Sequence, residues 1–101
     1  MKCLDDCHNY QLKSMMITKA PQILTFYEMR EDGTRINGTT NEDLIRVLIH
    51  RLKYLNEKMA NGKFRCKENT LAIIELRKAL SWLEQRTADR QARQVEGTQE
   101  V

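Results

Sequence analysis

Several residue types are scarce in this chain of 101 residues, and each scarcity excludes a class of structure. One proline and four glycines are too few for a collagen-like fibre or for an all-β sandwich with glycine at its many turns. No apolar run approaches the ~18 residues that a membrane span needs, and the N-terminus lacks the apolar stretch of a secretory signal. The sequence therefore predicts a cytosolic protein without a membrane partner.

Histidine and cysteine are few as well, with two and three copies. An odd number of cysteines without a secretory signal indicates reduced thiols rather than a disulfide framework. Cys3, Cys7 and His8 are three soft ligands close together, and Cys66 could be a fourth, but their spacing is not that of the usual zinc pairs. Since no nucleophile elbow, phosphate-binding glycine loop or zinc helix is present either, we predict no enzyme, no metal and no cofactor.

The charge balance points away from duplex DNA. Seventeen basic against fourteen acidic residues give a net charge of +3, which is too small an excess for a duplex-binding protein. The same excess could serve a compact anion if the positive charges were concentrated. The chain is also short enough that its core would often be completed by a second copy, so we expect oligomerisation.

The N-terminal part predicts β-structure. Residues 1–18 show no clear period, and we treat them as an extension that is poorly ordered or forms an edge strand at the apolar residues 15–17. Residues 22–30 alternate as a strand does and are rich in β-branched and aromatic types. The Glu-Asp-Gly turn at 31–33 and a returning strand at 34–37 complete a predicted β-hairpin.

Two helices are predicted to follow. Thr40 and Asn41 are good N-caps for the first, which should extend over about residues 41–60. Its apolar stripe consists of Leu44, Leu48, Leu52, Leu55 and Met59. The second should extend over about 67–92, with a stripe of Ile73, Leu76, Leu80 and Leu83. Apolar side chains off that stripe are Leu71, Ile74 and Trp82, and they need a further partner, which could be the β-hairpin, another subunit or both.

These elements predict an α+β fold. A short N-terminal antiparallel β-hairpin or sheet precedes a two-helix antiparallel hairpin, which dimerises through the second helix. We predict one domain over residues 19–98 and a tail at 99–101.

The sharpest candidate site is a pair of arginines near the end of the second helix. Arg86 and Arg90 are four residues apart and share one face, and guanidinium groups grip phosphate oxygens in a bidentate fork. Alternatively, these cations complement the helix dipole. In an antiparallel hairpin they would lie beside the free backbone N–H groups near Thr40 and Asn41, which form a natural anion seat.

Asn69 and Phe64 mark the opposite end of the hairpin. An asparagine amide can pair with the edge of a base, and a phenylalanine ring can stack on one. Helix capping by Asn69 and plugging of the loop by Phe64 remain open as alternatives. Asn69 and Arg86 are 17 residues apart, or ~26 Å along one helix. One small ligand can therefore contact both only if a second copy of this helix lies antiparallel beside the first, with close approach at Ala79.

Four short motifs carry a resemblance to a known family. They are Thr-Asn-Glu-Asp-Leu-Ile at 40–45, His-Arg-Leu at 50–52, Glu-Asn-Thr-Leu-Ala-Ile at 68–73, and Arg-Thr-Ala-Asp-Arg to Val-Glu-Gly-Thr at 86–98. In this order they resemble phage anti-defence "sponge" proteins with a helical-hairpin domain, known as anti-Thoeris and anti-CBASS proteins. The β-hairpin before the helices is similar to the anti-Thoeris branch.

The resemblance implies immune evasion without catalysis. Such proteins sequester cyclic nucleotide messengers in the cytoplasm of the infected bacterial host: cyclic ADP-ribose isomers in the anti-Thoeris branch, and cyclic di- or trinucleotides in some relatives. They form homodimers, and some form hexamers as trimers of dimers. The matching motifs imply that Asn69 contacts the base and that Arg86 and Arg90 contact the phosphates. Phe64 or Met59 would take the place of the family's aromatic residue that stacks on the base.

Two other functions remain as alternatives. The basic residues 86–93 could belong to a small helical nucleic-acid-binding module, and the spare apolar faces could belong to a protein inhibitor.

Overall fold

The structure is a computed structural model of the chain. It describes the backbone of residues 1–16 and 18–100, and their side chains up to residue 93. The elements in chain order are β1 (Lys2–Cys3), β2 (Asn9–Leu12), β3 (Gln22–Thr25), β4 (Glu28–Met29), β5 (Arg35–Ile36), α1 (Asn41–Glu57), a 3₁₀ turn (Met59–Gly62) and α2 (Lys67–Glu100). Strands followed by two helices confirm the predicted α+β layout.

The chain divides into two compact units, Met1–Thr40 and Asn41–Val101. The first unit contains the described strands, which form an antiparallel sheet in the order β1-β2-β3 and a two-stranded sheet of β4 and β5. The second unit contains the helical hairpin. The single domain predicted over residues 19–98, and the tail from residue 99, stay predictions.

The N-terminal extension supplies two strands of the first sheet. β1 is an edge strand, whereas β2 is central and pairs with β3 from Asn9↔Thr25 to Leu12↔Gln22. The sequence did not predict β2, because four residues are too few to show a clear alternation. The strand expected at 15–17 is absent at Met15 and Met16, which lie in a bend; Ile17 lies outside the described residues.

The single strand predicted over residues 22–30 is divided into β3 and β4. Between them the backbone N–H of Tyr27 donates to the carbonyl of Thr39 (2.8 Å), and the N–H of Thr39 donates to the carbonyl of Thr25 (2.9 Å). Gly38 therefore lies directly against the backbone of this segment. A Cβ atom on Gly38 would lie 2.6 Å from the Tyr27 nitrogen, so this close approach requires glycine.

The β-hairpin formed by β4 and β5 confirms the predicted turn. The N–H of Gly33 donates to the carbonyl of Arg30 (2.9 Å), and Gly33 has φ +88°, which explains the need for glycine. The Asp32 carboxylate accepts the N–H of Thr34 at 2.8 Å. Hydrogen bonds from the Thr34 side chain and backbone lower the pKa of Asp32 below its ordinary value.

α1 presents a buried face that differs by one position from the predicted stripe. Leu44, Leu52, Leu55 and Met59 are half-buried as expected. Leu48 was predicted to be part of this face, which is wrong because its side chain is 43% exposed. The face is instead centred on the apolar residues Ile45, Ile49 and Leu52, which recur at the spacing of one helix face.

α2 buries its predicted stripe and exposes its second apolar face. Ile73 is buried and Leu76, Leu80 and Leu83 are half-buried. Exposed on the other side are Leu71, Ile74 and Trp82, whose exposed fractions are 50%, 42% and 75%. The helix continues to Glu100, past the predicted end near residue 92, because no proline interrupts the sequence there. Neither described helix combines the length and apolar character needed to cross a membrane.

Replacing Gly38 tests the close approach in the first unit. We expect Gly38→Ala to lower the free energy of unfolding by ~1–3 kcal/mol, because the added methyl forces the two backbones apart. Chemical denaturation of the full chain measures this change. Asn37→Ala, at the exposed neighbouring position, is the matched control and should stay within ~0.5 kcal/mol of the parent. Equal stability of the two variants would contradict the account.

Candidate functional site

The turn end of the helical hairpin is organised by Asn56, a polar side chain only 7% exposed. Its Oδ1 accepts the backbone N–H of Cys66 (3.1 Å) and the side-chain amide of Asn69 (3.2 Å). Its Nδ2 donates to the hydroxyl oxygen of Thr70 (3.1 Å). One side chain near the end of α1 therefore binds three positions at the start of α2.

The loop between the helices turns in a small number of residues. Ala60 and Asn61 adopt left-handed backbone angles, with φ of 50° and 57°, and Gly62 follows with φ +81°. The guanidinium Nε of Arg65 then donates to the carbonyl of Asn56 (3.1 Å). That carbonyl lies in the last turn of α1, where carbonyl groups lack a partner within the helix, so Arg65 caps α1.

Asn69 lies in the first turn of α2 and its amide is held in place. Its Nδ2 donates to Asn56 and also to the backbone carbonyl of Phe64 (3.4 Å). Its backbone N–H donates to the sulfur of Cys66 (3.4 Å), so the sulfur of Cys66 caps the helix start. Phe64 is 52% exposed. The predicted base-side residue and one of the two predicted stackers thus lie together, while Met59 is half-buried in the 3₁₀ turn.

The other end of the hairpin contains a network of ion pairs. Arg86 lies beside the start of α1 and donates to the Glu42 carboxylate (3.4 Å). Arg46 pairs with Glu84 (3.1 Å) and with Asp43 (3.9 Å). The antiparallel arrangement that was expected to bring Arg86 to the first turn of α1 is therefore present. Glu42 already neutralises part of its charge.

The remaining residues of the predicted phosphate site are exposed. Arg90 lies one turn beyond Arg86 and makes no ion pair with any residue whose side chain the structure describes. Arg93 donates to the carbonyl of Asp89 (3.4 Å). Thr40 and Asn41 lie at the start of α1. Their role as an anion seat stays a prediction, and so do the ligand-binding roles of Asn69, Arg86, Arg90, Phe64 and Met59.

The two halves of the predicted site lie at opposite ends of one hairpin. Asn69 is at the turn, whereas Arg86 is beside the start of α1. Both belong to the continuous helix α2, so about 26 Å of helix separates them. Among the described residues, no group of three or more His, Cys, Asp or Glu side chains is placed to hold a metal ion.

The segment from the end of β3 through most of the helical hairpin matches a known family. A family model described as "Acb2/Tad1, hairpin domain" matches residues 24–88, which is more than half of the chain. The chain belongs to the Acb2/Tad1 hairpin-domain family. The resemblance to phage anti-Thoeris proteins that its motifs carry is thereby confirmed at the level of the family.

A curated relative supports the same assignment. The chain is 52% identical over 64 residues to "Thoeris anti-defense 1" of Bacillus phage SBSphiJ7, and the alignment covers 63% of this chain and 42% of that protein. The chain thus matches less than half of its relative's length. The family match includes every predicted site residue except Arg90. It also includes Asn56, which is a member of the site that sequence reasoning missed.

The sequence contains a feature that could have identified Asn56 as a structural residue. It is a polar residue four positions after Leu52 and three before Met59, within the stripe of α1 that faces α2. A polar residue at a buried helix position needs a partner for each polar atom. Which groups of α2 it binds depends on the turn that joins the helices, and the pattern of apolar residues does not specify that turn.

Removing the Asn56 side chain tests its role at the turn. We expect Asn56→Ala to lower the free energy of unfolding by ~2–4 kcal/mol, because the N–H of Cys66 and the amide of Asn69 lose their acceptor. Chemical denaturation at a fixed protein concentration measures this. Glu57→Ala, at the exposed next position, is the control. A loss no larger than that of the control would show that Asn56 does not organise the turn.

Proposed function

We propose that this chain is a phage anti-defence protein that binds a cyclic nucleotide immune messenger and holds it without degrading it. The observation that carries the proposal is the family match over residues 24–88, because it contains both Asn69 and Arg86. The name of the relative, "Thoeris anti-defense 1", supports an anti-defence role against Thoeris. The ligand that the resemblance to the anti-Thoeris branch implies is a cyclic ADP-ribose isomer. Cyclic oligonucleotides are the further candidates.

Asn69 is suited to read the base of such a ligand. Its amide nitrogen donates to Asn56 and to the Phe64 carbonyl, which uses both N–H groups of that amide. The side-chain oxygen is then the group that Asn69 offers to a ligand, and it can accept the exocyclic amino group of adenine. The backbone carbonyl of Phe64 contacts Asn69 and its ring is exposed, which supports Phe64 as the residue that stacks on the base.

Arg86 and Arg90 are suited to bind the phosphates. Both are exposed and lie one helical turn apart, so their guanidinium groups can grip one phosphate or two adjacent ones. The anion must compete with Glu42 for Arg86, since these two already form an ion pair at 3.4 Å. Arg86 is exposed and Glu42 is half-buried, so this pair near the surface contributes on the order of 1 kcal/mol, which a doubly charged ligand can overcome.

A second copy of the chain is needed to complete the pocket. Asn69 and Arg86 are too far apart on α2 for one ligand of mononucleotide size, whereas an antiparallel second α2 would bring Asn69 of one copy to Arg86 of the other. The exposed apolar side chains of Leu71, Ile74 and Trp82 lie between these two residues along α2. They supply the apolar surface that such pairing would bury. A homodimer with two equivalent pockets follows, and a hexamer would be a trimer of it.

Sequestration of this kind needs no bond to be broken. Tight binding with slow dissociation lowers the free messenger concentration by mass action alone. The bound messenger should therefore be recovered intact after the protein is denatured.

A ligand panel tests the proposal. Cyclic ADP-ribose isomers, cyclic dinucleotides and cyclic trinucleotides are added to the full chain, and thermal shift, calorimetry and light scattering are recorded. We expect a dimer and at least one ligand that raises the unfolding temperature and elutes unchanged from denatured protein. A lone protomer, a degraded ligand or the absence of any shift would contradict the proposal. A steep salt-dependent affinity for duplex DNA would favour the nucleic-acid alternative.

Substitutions at the two ends of α2 test the shared pocket. Asn69→Ala and Arg86→Ala should each weaken binding of the same ligand by about 10- to 100-fold, the equivalent of one lost hydrogen bond to a charged or buried group. Both should leave the dimer intact in light scattering. Lys53→Ala, which removes an exposed charge from α1, is the control and should bind like the parent. If only one of the two substitutions affected binding, Asn69 and Arg86 would not share a ligand.

The ion pair between Glu42 and Arg86 gives a substitution that should improve binding. Glu42→Gln removes the carboxylate that competes with a phosphate, so we expect binding to tighten by about two- to fivefold, which corresponds to one ion pair near the surface. Calorimetry at low salt measures this. Glu84→Gln, which disrupts the pair with Arg46 instead, is the matched control. Weaker binding by the Glu42 variant would mean that Glu42 positions Arg86 rather than competing for it.

A further inference from the structure

The end of β1 and the connection that follows it carry two thiols, Cys3 and Cys7, that the proposed function does not use. Both lie outside residues 24–88, which match the family. The sulfur atoms of Cys3 and Cys7 are 3.8 Å apart, and the thiol of Cys3 donates to the backbone carbonyl of Asp5 (2.8 Å). Both side chains are exposed, so a small reagent can reach them.

The connection is held in its shape by Asp5. The Asp5 carboxylate accepts the backbone N–H groups of His8 (3.1 Å) and Asn9 (2.9 Å) and the side-chain amide of Asn9 (2.7 Å). Hydrogen bonds from the side chain and backbone of Asn9, and then from His8, lower the pKa of Asp5. The amide oxygen of Asn9 in turn accepts the hydroxyl of Thr25 on β3 (2.8 Å). The turn that brings the two cysteines together is thus anchored in the sheet.

Cys7 has an unusual backbone conformation and an aromatic neighbour. Cys7 has a left-handed backbone conformation with φ 67°, which is uncommon for a residue with a Cβ atom. The pKa of Tyr10 is raised to about 12, mainly by a hydrogen bond with Cys7 and to a smaller extent by burial and by nearby negative charge. Tyr10 is the cross-strand partner of Cys3, so the phenol lies beside both thiols.

We propose that Cys3 and Cys7 form a reversible dithiol–disulfide couple. A low-molecular-weight disulfide such as oxidised glutathione is the co-reactant. One cysteine thiolate attacks a glutathione sulfur, so that a mixed disulfide forms and one glutathione thiolate leaves and takes up the proton. The second cysteine thiolate then attacks the first cysteine's sulfur, and a second glutathione leaves in the same way. The protein loses two electrons and two protons, and one glutathione disulfide becomes two thiols.

Closure requires a local movement only. The sulfurs must approach from 3.8 Å to the ~2.05 Å of a disulfide bond. Once formed, the bond would join β1, an edge strand of two residues, to the turn that follows it. The N–H of Leu4 donates to the carbonyl of Asn9 (2.9 Å) inside this segment, so opening of that hydrogen bond reports on the change.

A redox titration of the full chain tests the couple. The protein is equilibrated in buffers in which the ratio of oxidised to reduced glutathione increases. The remaining thiols are then alkylated, and the masses of the tryptic peptides are measured by mass spectrometry. Cleavage after Lys2 and Lys13 leaves Cys3 and Cys7 in one peptide and places Cys66 in another. We expect an unalkylated peptide over residues 3–13 that is lighter than its dithiol form by two hydrogens and reverts with excess reduced glutathione.

Hydrogen exchange provides a second measurement. In the oxidised chain, exchange of the Leu4 amide should slow by up to about 30-fold, the factor expected for closing so short a loop. Cys3→Ser and Cys7→Ser should abolish both the lighter peptide and the slower exchange, whereas Cys66→Ser should keep both. Stable glutathione adducts on single cysteines, disulfides between chains, or thiols that stay reduced across the titration would each overturn the proposal.

Discussion

The helical unit depends on the hydrogen bonds of Asn56 more than on any other polar group. The ends of α1 and α2 leave backbone groups without partners inside their own helices, and side chains at the turn satisfy several of them. Asn56 accepts the N–H of Cys66 and the amide of Asn69, while Arg65 caps α1 at the Asn56 carbonyl. The same hydrogen bonds fix the orientation of Asn69. The stability of the turn and the geometry of the proposed contact with the base therefore depend on the same hydrogen bonds.

Charge organises the opposite end of the hairpin in a different way. Arg86 and Arg46 each pair with an acidic residue on the other helix, which fixes the two helix ends relative to each other. In the first of these pairs Arg86 is exposed and Glu42 is half-buried, and ion pairs near the surface contribute on the order of 1 kcal/mol. In the proposed function, a phosphate displaces Glu42 from Arg86.

Burial within one chain is shallow. Among the described residues, Ile73 and Asn56 are the two classed as buried, each with 7% of its surface exposed, while Trp82 stays 75% exposed. A two-helix hairpin has one apolar seam only, and α2 carries apolar residues on two faces. The proposed pairing of two α2 helices would bury the second face and would complete the pocket in the same step.

The sequence by itself determined the order of the β-hairpin and the two helices, both helix starts, the hairpin turn at Gly33 and the separation of Asn69 from Arg86. These follow from local periodicity, capping and helix rise. Only the tertiary structure decided the rest. It paired the short strand β2 with β3, divided the predicted strand where the backbone of Gly38 lies against Phe26 and Tyr27, and selected Asn56 as the centre of the turn. These outcomes depend on which backbone groups of distant segments come within hydrogen-bonding distance, and local patterns carry no information about that.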